Sequence, residues 1–438
     1  LANTSSPSAS DLAGLAIVDV ETLAQLRTPD GRALLDEAIR AYGDEDAFAL
    51  GTRLRRTHPP ELVAAALTQA RLRRRARAKF DLDDAGRMLF TVNGLEQATR
   101  ANVSKHRAER IAQTLVPSAT AMRETAVAAG VTPPVADLCC GIGGDLIALA
   151  RAGLAVTAVD TDPLTAAVAR ANIEELGLGA PVINADATTI DRTPFAAVIC
   201  DPARRTDRGR VFNPDAYQPP WSFVEELLSG SACVKVAPGI PHDLVPSGVE
   251  AEWVSDGGEV KEAALWSGEL RAGHRSASSG TPLPSVRRRA TLLPSGATVT
   301  DAEAPPDPPI APPGRWLIEP DGAVIRAGLV TAVAAAAAGW LLDPQIAYVS
   351  CDTEPHTELG RSFEIVDQLP YDIKRLRAYV RNHGIGILTI KKRGVGLDPA
   401  QLRRHLRPHG DAEATFVITR LADRATTLVV TPRKDLPC

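Results

Sequence analysis

The chain has 438 residues, 45% of them hydrophobic and 23% charged, with a formal net charge of -4. These values are those of a soluble globular protein, and the length is too great for one compact domain, so two or three are expected; composition excludes little else. No apolar run reaches the roughly 18 residues of a membrane span; the longest, LVTAVAAAAAGWLL at 329–342, reads as a buried or amphipathic helix. Six cysteines without C-x-x-C spacing predict a reducing, cytoplasmic setting with neither a disulfide framework nor a metal site. The stretch LANTSSPSAS lacks the charged start and apolar core of a secretory leader. Arginine outnumbers lysine and alanine is abundant, a composition similar to that of a high-GC bacterium.

Residues 1–131 carry helical periodicity and are predicted to form a helical, basic domain. Within it HPPELVAAALTQARLRRRARAKF places a proline in the first turn, as helices tolerate. Its arginines, Arg71, Arg74 and Arg75 above all, form a candidate polyanion surface, set against the plainer reading of a solvated face paired with Asp81, Asp83 and Asp84. LEQATRANVSKHRAERIAQ, 95–113, reads as a polar helix whose Gln97, Arg100, Lys105, His106, Arg107 and Arg110 are candidates to face a cofactor cleft.

The region 132–303 opens with VADLCCGIGGD, an apolar strand ending near Asp137, a glycine-bearing turn, and Asp145 at the start of an amphipathic helix. Gly141, Gly143 and Gly144 permit a sharp turn and close approach of a ligand. A dinucleotide fingerprint would need a third glycine where Leu146 stands, and the Gly-Lys-Ser/Thr of a P-loop is absent. S-adenosylmethionine fits better. Asp160 ends the strand LAVTAVD, where a carboxylate can accept both ribose hydroxyls, and PVINADA places Asp186 for an adenine amine with Ala187 for the ring. FAAVICD then ends in Asp201-Pro202-Ala203-Arg204-Arg205. Downstream come the helix WSFVEELLSG, the strand SACVKVAPG, two strands around Asp256-Gly257-Gly258, and the hairpin RRATLLPSGATVT.

Residues 304–314, APPDPPIAPPG, are expected to be a stiff proline-rich linker. A smaller α/β unit, 315–438, follows. Its predicted strands are IAYVSCD, GILTIKKRG, ATFVITR and TTLVVTP, and its predicted helices are VIRAGLVTAVAAAAAGW, DIKRLRAYVRNH and DPAQLRRHLRPH, the last capped by Asp398.

With C-G-x-G-G, D-x-D-P from Asp160 to Pro163 and A-R-A-N from Ala169 to Asn172, the chain resembles the class I S-adenosylmethionine-dependent methyltransferases, in particular an RNA-modifying branch. WLIEPDGAVIRAG and LTIKKRG in the last region resemble proteins that carry a C-terminal THUMP-like domain. The implied fold is α/β: a Rossmann-like methyltransferase core with an N-terminal helical domain and a C-terminal α/β THUMP-like domain. The resemblance implies S-adenosyl-L-methionine as cofactor, held by Asp137, Cys139, Gly141, Gly143, Gly144, Asp160, Asp186 and Ala187. It implies an RNA substrate, tRNA or rRNA, with Lys391, Lys392 and Arg393 joining Arg71, Arg74 and Arg75 as candidate phosphate contacts.

Asp201 and Pro202 resemble the first half of the D/N-P-P-Y/F motif of N-methyltransferases, whose side chain and proline carbonyl accept the hydrogens of a target amine. Ala203 and Arg204 depart from its second half. Arg204 can stack on a base or pair a phosphate, and Tyr217 or Trp221 could supply the missing ring. The expected reaction is methylation of a base nitrogen. Tyr348-Val349-Ser350-Cys351 raises the alternative of a uridine-C5 enzyme with a cysteine nucleophile; a small-molecule methyltransferase and an inactive RNA assembly factor are the others.

Overall fold

The computed structural model describes residues 19–115, 132–204, 213–271, 286–305 and 308–433. The predicted positions 1–18, 116–131, Arg205 and the chain end after 433 lie outside them.

The described part of the N-terminal region is wholly helical: α1 Val20–Leu26, α2 Pro29–Ala41, α3 Ala47–Leu54, α4 Pro60–Ala76, α5 Leu82–Arg87, α6 Val92–Gln97 and α7 Ala101–Leu115. Asp19, Thr28, Asp46 and Thr91 cap α1, α2, α3 and α6 with side-chain oxygens, which satisfy otherwise orphaned N–H groups. The stretch 95–113 is not one helix as expected. It breaks between Gln97 and Ala101, and the Lys79 ammonium takes up the carbonyls of Leu95 (2.9 Å) and Ala98 (3.0 Å) there.

The chain then alternates strand and helix: β1 Pro134–Leu138, α8 Gly144–Arg151, β2 Ala155–Asp160, α9 Pro163–Glu175, β3 Val182–Asn184 and β4 Ala197–Cys200. A two-residue pair, β5 Ala203–Arg204 with β6 Tyr217–Gln218, precedes α10 Trp221–Leu228 and β7 Ala232–Val236. Neighbouring strands run in the order β3-β2-β1-β4-β7, all parallel. The order reverses at β1, so the carboxyl ends of β1 and β4 flank the topological switch point, where open α/β sheets bind ligands. These helices and strands form one compact unit, residues 1–209, 213–235 and 267–270.

Asn172 ties the helical layer to this sheet. Fully buried on α9, its carbonyl accepts from Leu89 N–H (2.7 Å) while its amide donates to the carbonyls of Leu89 (3.1 Å) and Ile142 (2.9 Å). Arg151 of α8 adds a forked pair to buried Asp84, both contacts at 2.6 Å.

The second unit, 210–212, 236–266 and 271–438, contains β8 Glu250–Asp256, β9 Glu259–Trp266, β10 Arg288–Leu293 and β11 Ala297–Thr300. The β8–β9 turn has Gly257 at φ 61° and Gly258 at φ 81°, the left-handed pair a tight hairpin demands. A seven-stranded sheet follows, built from β12 Trp316–Pro320, β13 Trp340–Asp343, β14 Ile346–Cys351, β15 Gly360–Pro370, β16 Ile385–Lys392, β17 Ala412–Leu421 and β18 Arg424–Pro432 in the order β13-β14-β12-β15-β18-β17-β16. Its helices are α11 Gly322–Arg326, α12 Val330–Ala336, α13 Ile373–Asn382 and α14 Pro399–Leu406.

Here the alanine-rich stretch misleads. The expected single helix from Val324 to Trp340 is two short helices broken at Gly328, φ 67°, and Trp340–Asp343 is a strand. The proline-rich stretch belongs to this unit and lies along β13, where Ala311 N–H donates to Leu341 (3.1 Å) and Leu341 N–H to Pro309 (2.9 Å). Among the described residues no helix is long and apolar enough to cross a membrane.

Candidate active site

The turn after β1 is built from left-handed backbone. Cys139, Gly141 and Gly143 have φ of 61°, 57° and 93°. For a side-chain-bearing residue such as Cys139 this costs roughly 1–2 kcal/mol, strain of a kind that collects at ligand sites. A Cβ added at Gly141 would meet nothing within 4 Å, so glycine is required there by φ alone, and the turn opens onto free space. Gly143 is the N-cap of α8 and Gly144 its first residue.

The end of β2 closes one side of the turn. Asp160 accepts Gly141 N–H through Oδ2 (2.9 Å) and Asp162 N–H through Oδ1 (3.0 Å). Burial pushes its carboxyl above the usual range, with these two N–H groups opposing. Asp186, after β3, is exposed, and its Oδ1 accepts both the N–H and the hydroxyl of Thr188 at 2.8 Å, which hold the carboxyl below its usual value. Ala187 beside it is buried. The side chain expected to bond adenine thus caps a turn through one oxygen.

Beneath the turn lies a buried ionic network only part of which the sequence had indicated. Lys235, in the middle of the apolar run of β7, pairs with Asp201 Oδ2 at the end of β4, donates to Thr99 Oγ1 (2.6 Å), and reaches Asp145 Oδ2 at 3.5 Å. Arg107 of α7, almost wholly buried, pairs with the other oxygen of Asp145. Burial would raise Asp145, but Arg107 and then Lys235 hold its carboxyl below the usual value. Asp137 Oδ2, also buried, has no hydrogen-bond partner. Burial first, then the neighbouring Asp145 charge, pushes the Asp137 carboxyl well up.

Asp201 N–H donates to Leu138 (3.2 Å), which continues the pairing of β4 with β1 and fixes the carboxylate beside the glycine turn. Its side chain is 41% exposed where Lys235 is 8% exposed, so one end of the pair faces solvent and the other the interior. Pro202 is buried. The backbone of Arg204 pairs with Tyr217, whose ring lies 5.6 Å from that of Trp221, so the aromatic pair stands one strand from the Asp201 segment.

The structure therefore brings Asp137, Cys139, Gly141, Gly143, Gly144, Asp160 and Asp201 to one set of strand ends. The sequence does not single out Lys235 or Thr99 and gives Asp145 only as a helix start; Arg107, a candidate to face the cofactor cleft, is instead buried against Asp145. A lysine flanked by apolar residues on both sides, in SACVKV, was the available signal, because a buried ammonium requires a carboxylate partner.

The proposed phosphate contacts are placed differently. Arg73, between them on α4, donates to the carbonyls of Gly86 (2.6 Å), Arg87 (2.9 Å) and Met88 (2.9 Å), and so caps α5. Arg75 lies 3.6 Å from Glu96, Arg71 is half-buried and partnered, and Arg74 is exposed. In the second unit Lys391 pairs with Glu319, Lys392 donates to the Leu397 carbonyl, and Arg393 donates to that of Ala347 (3.3 Å). Cys351 is fully buried, its thiol donating to the Thr353 carbonyl (3.2 Å) and pushed up by burial. Among the described residues no cluster of His, Cys, Asp and Glu is arranged to hold a metal ion.

A parallel sheet with a glycine turn at its switch point, an acid at or near the end of each of the first strands, and a buried carboxyl with one unpartnered oxygen under the turn defines a class I methyltransferase. Comparison with known proteins agrees. Residues 135–210 match the methyltransferase domain family, 360–432 the THUMP domain-like family, and 19–76 a domain of unknown function, DUF8688. Uncharacterized S-adenosylmethionine-dependent methyltransferases from two strains of Mycobacterium tuberculosis are 39% identical over 370 residues, 83% of this chain and 93% of theirs. The chain belongs to the S-adenosylmethionine-dependent methyltransferases. A crystal structure of a Porphyromonas gingivalis protein assigned to the methyltransferases shares its fold, with a TM-score of 0.70 at 23% identity over 92% of this chain and 98% of that one. S-adenosyl-L-methionine is the cofactor.

Proposed function

We propose that this enzyme methylates a base nitrogen of tRNA or rRNA. The observation that carries the reading is the half-exposed carboxylate of Asp201, held by buried Lys235 beside the glycine turn and followed by Pro202. The THUMP-like match over 360–432 supports RNA as the substrate class.

The cofactor supplies an electrophilic methyl group on a sulfonium. Asp137 Oδ2, buried without a donor, suits its ammonium group. Asp160 retains lone pairs for the ribose hydroxyls, Asp186 Oδ2 and Ala187 border the adenine position, and the open side of Gly141 admits the chain between them.

Transfer is an in-line displacement, so the protein's task is to place the nucleophile and meet developing charge. Lys235 occupies Asp201 Oδ2, which leaves Oδ1 to accept one hydrogen of a base amine while the Pro202 carbonyl accepts the other. The amine lone pair is thereby aimed at the methyl carbon. As the C–N bond formed, the methyl–sulfur bond would break to leave a neutral thioether; the Asp201 carboxylate would stabilise the cationic nitrogen and pass its proton from Oδ1 to solvent. Lys235, bracketed by Asp201 and Asp145, acts as a fixed charge that keeps Asp201 in one rotamer. The covalent alternative is disfavoured by the burial and raised thiol of Cys351. The five described cysteines are free thiols, which suits a reducing cytoplasm.

The test incubates the enzyme and labelled cofactor with RNA from cells lacking it, followed by digestion to nucleosides. Label in an N-methylated base is expected. Asp201→Ala should lose turnover by at least about 100-fold, while Lys235→Met loses it to a similar extent and Lys235→Arg recovers part. Asp201→Ala should bind S-adenosylhomocysteine within a few-fold of wild type, since its role lies with the nucleophile. Label confined to pyrimidine C5 would favour the covalent chemistry, and label only in small metabolites would overturn the RNA assignment.

A further inference from the structure

Between Tyr371 and Asp411 the only acids are Asp372, Asp398 and Asp411. The first two are spent as N-caps: Asp372 accepts Arg375 N–H (2.8 Å), and Asp398 accepts the N–H groups of Ala400 (2.8 Å) and Gln401 (3.3 Å). The helices they cap, α13 and α14, cover one face of the seven-stranded sheet. Leu376 and Val380 of the first and Leu402 and Leu406 of the second share a core with Ile385, Leu388, Phe416, Ile418 and Val429. Burying those positions sends the intervening ones outward. On α13 these are Lys374, Arg375, Arg377 and Arg381, all exposed. Arg403 and Arg404 of α14 are exposed too, as is its C-cap Arg407.

None of these side chains makes an ion pair among the described residues, whereas other arginines of the chain do, as in Arg27–Glu174, Arg53–Glu37, Arg151–Asp84 and Arg420–Asp343; exposed Arg55, Arg56, Arg74 and Arg77 of the first unit also lack one. Fold stability does not account for the placement on α13. Lys374 and Arg375 sit in its first turn, against the positive end of the helix dipole, where acidic residues would be stabilising. An aromatic step adjoins them: exposed His383 stacks on half-buried Tyr379, which packs against the core, with ring centroids 4.0 Å apart and planes 24° apart.

We infer that the outer face of α13 and α14 binds the sugar-phosphate backbone of RNA, with the His383–Tyr379 step available to an unstacked base. The inference rests on the RNA reading above and gives it a surface. Guanidinium forks match phosphate geometry, stacking accepts any base, and the acids beside the face are few and engaged, Asp372 and Asp398 as caps and Asp367 with Tyr379, which suits a continuous polyanion. It also moves the binding role away from Lys391, Lys392 and Arg393, which are engaged within their own unit.

The test uses the full-length protein and fluorescence anisotropy with unfractionated bacterial tRNA as probe, over a salt series. Two double variants reverse charge, Arg377→Glu with Arg381→Glu and Arg403→Glu with Arg404→Glu. Each should weaken binding about tenfold or more and flatten the salt dependence, with S-adenosylhomocysteine affinity and melting temperature unchanged. Affinity within twofold of wild type in both variants would overturn the proposal, as would equal competition by polyglutamate or binding to phosphatidylserine vesicles in place of tRNA. Weakened binding by a protein that labels only small metabolites would leave this surface standing and remove the RNA methylation reading. RNA labelling with an unchanged KM in both variants would do the reverse.

Discussion

At Asp137 two facts coincide: burial pushes the carboxyl well up, and Oδ2 has no donor. Below the unfolded value of about 3.9 both states hold the proton. Above it the unfolded chain releases the proton while the folded chain keeps it, so this group lowers folding stability as pH rises toward its folded value. A cofactor ammonium at Oδ2 reverses the bias by favouring the carboxylate, and the proton then leaves on binding. S-adenosylhomocysteine affinity should therefore rise with pH through this window, and the calorimetric enthalpy should depend on the ionisation enthalpy of the buffer. Asp137→Asn should remove both dependences. Binding without proton release in the wild type, measured from about pH 5 to 8, would place the ammonium elsewhere. Asp145, so close by, behaves oppositely because Arg107 and Lys235 flank it.

Among the elements, those with two concurrent constraints were legible. Each of β1, β2 and β4 is an apolar run that ends in an acid and a turn, and the parallel order followed from the helices between them. Asp398 with Pro399 marked α14, and Asp256-Gly257-Gly258 marked its hairpin, because those residue types have few other uses at those backbone angles. The alanine-rich stretch misled because helix propensity is a weak prior that strand pairing outvotes. A Cβ on Gly339 would meet the Ser350 carbonyl, so the chain stays close to β14 there and Trp340–Asp343 pairs with it. The long strand β15 escaped notice because a bulge between Ile365 and Asp367 breaks its alternation. Lys235 was hidden by a pattern that scores it as an interruption, when its partners come from Asp145 and Asp201, 90 and 34 residues away. Asn172, which the sequence shows only as the last residue of A-R-A-N, joins three segments. Asn172→Ala should cost about 3 kcal/mol in urea unfolding by leaving the Leu89 N–H and the Ile142 carbonyl unsatisfied, and should also weaken S-adenosylhomocysteine binding through the loosened glycine turn. An unchanged unfolding midpoint would mean that water replaces the amide without loss.

For the whole molecule the relevant contrast is between a net charge of -4 and the run of exposed arginines on α13 and α14 of the second unit, none of them in an ion pair among the described residues. A chain of that net charge does not attract RNA indiscriminately, so affinity has to come from a local face. Chemistry, by contrast, is gathered in the first unit, where the strand ends, Lys235 and Asp201 belong. This division has a thermodynamic consequence. If one unit grips and the other transfers, defects in the two should combine independently. Asp201→Ala should bind tRNA with wild-type affinity and transfer no methyl group, whereas Arg377→Glu with Arg381→Glu should raise KM for RNA several-fold with kcat retained at saturation. In the combined variant the loss of RNA affinity should equal that of the α13 pair alone, within about 0.5 kcal/mol. A coupling larger than that would show that the base held by Asp201 contributes to RNA affinity in the ground state, and that recognition and catalysis draw on the same contacts.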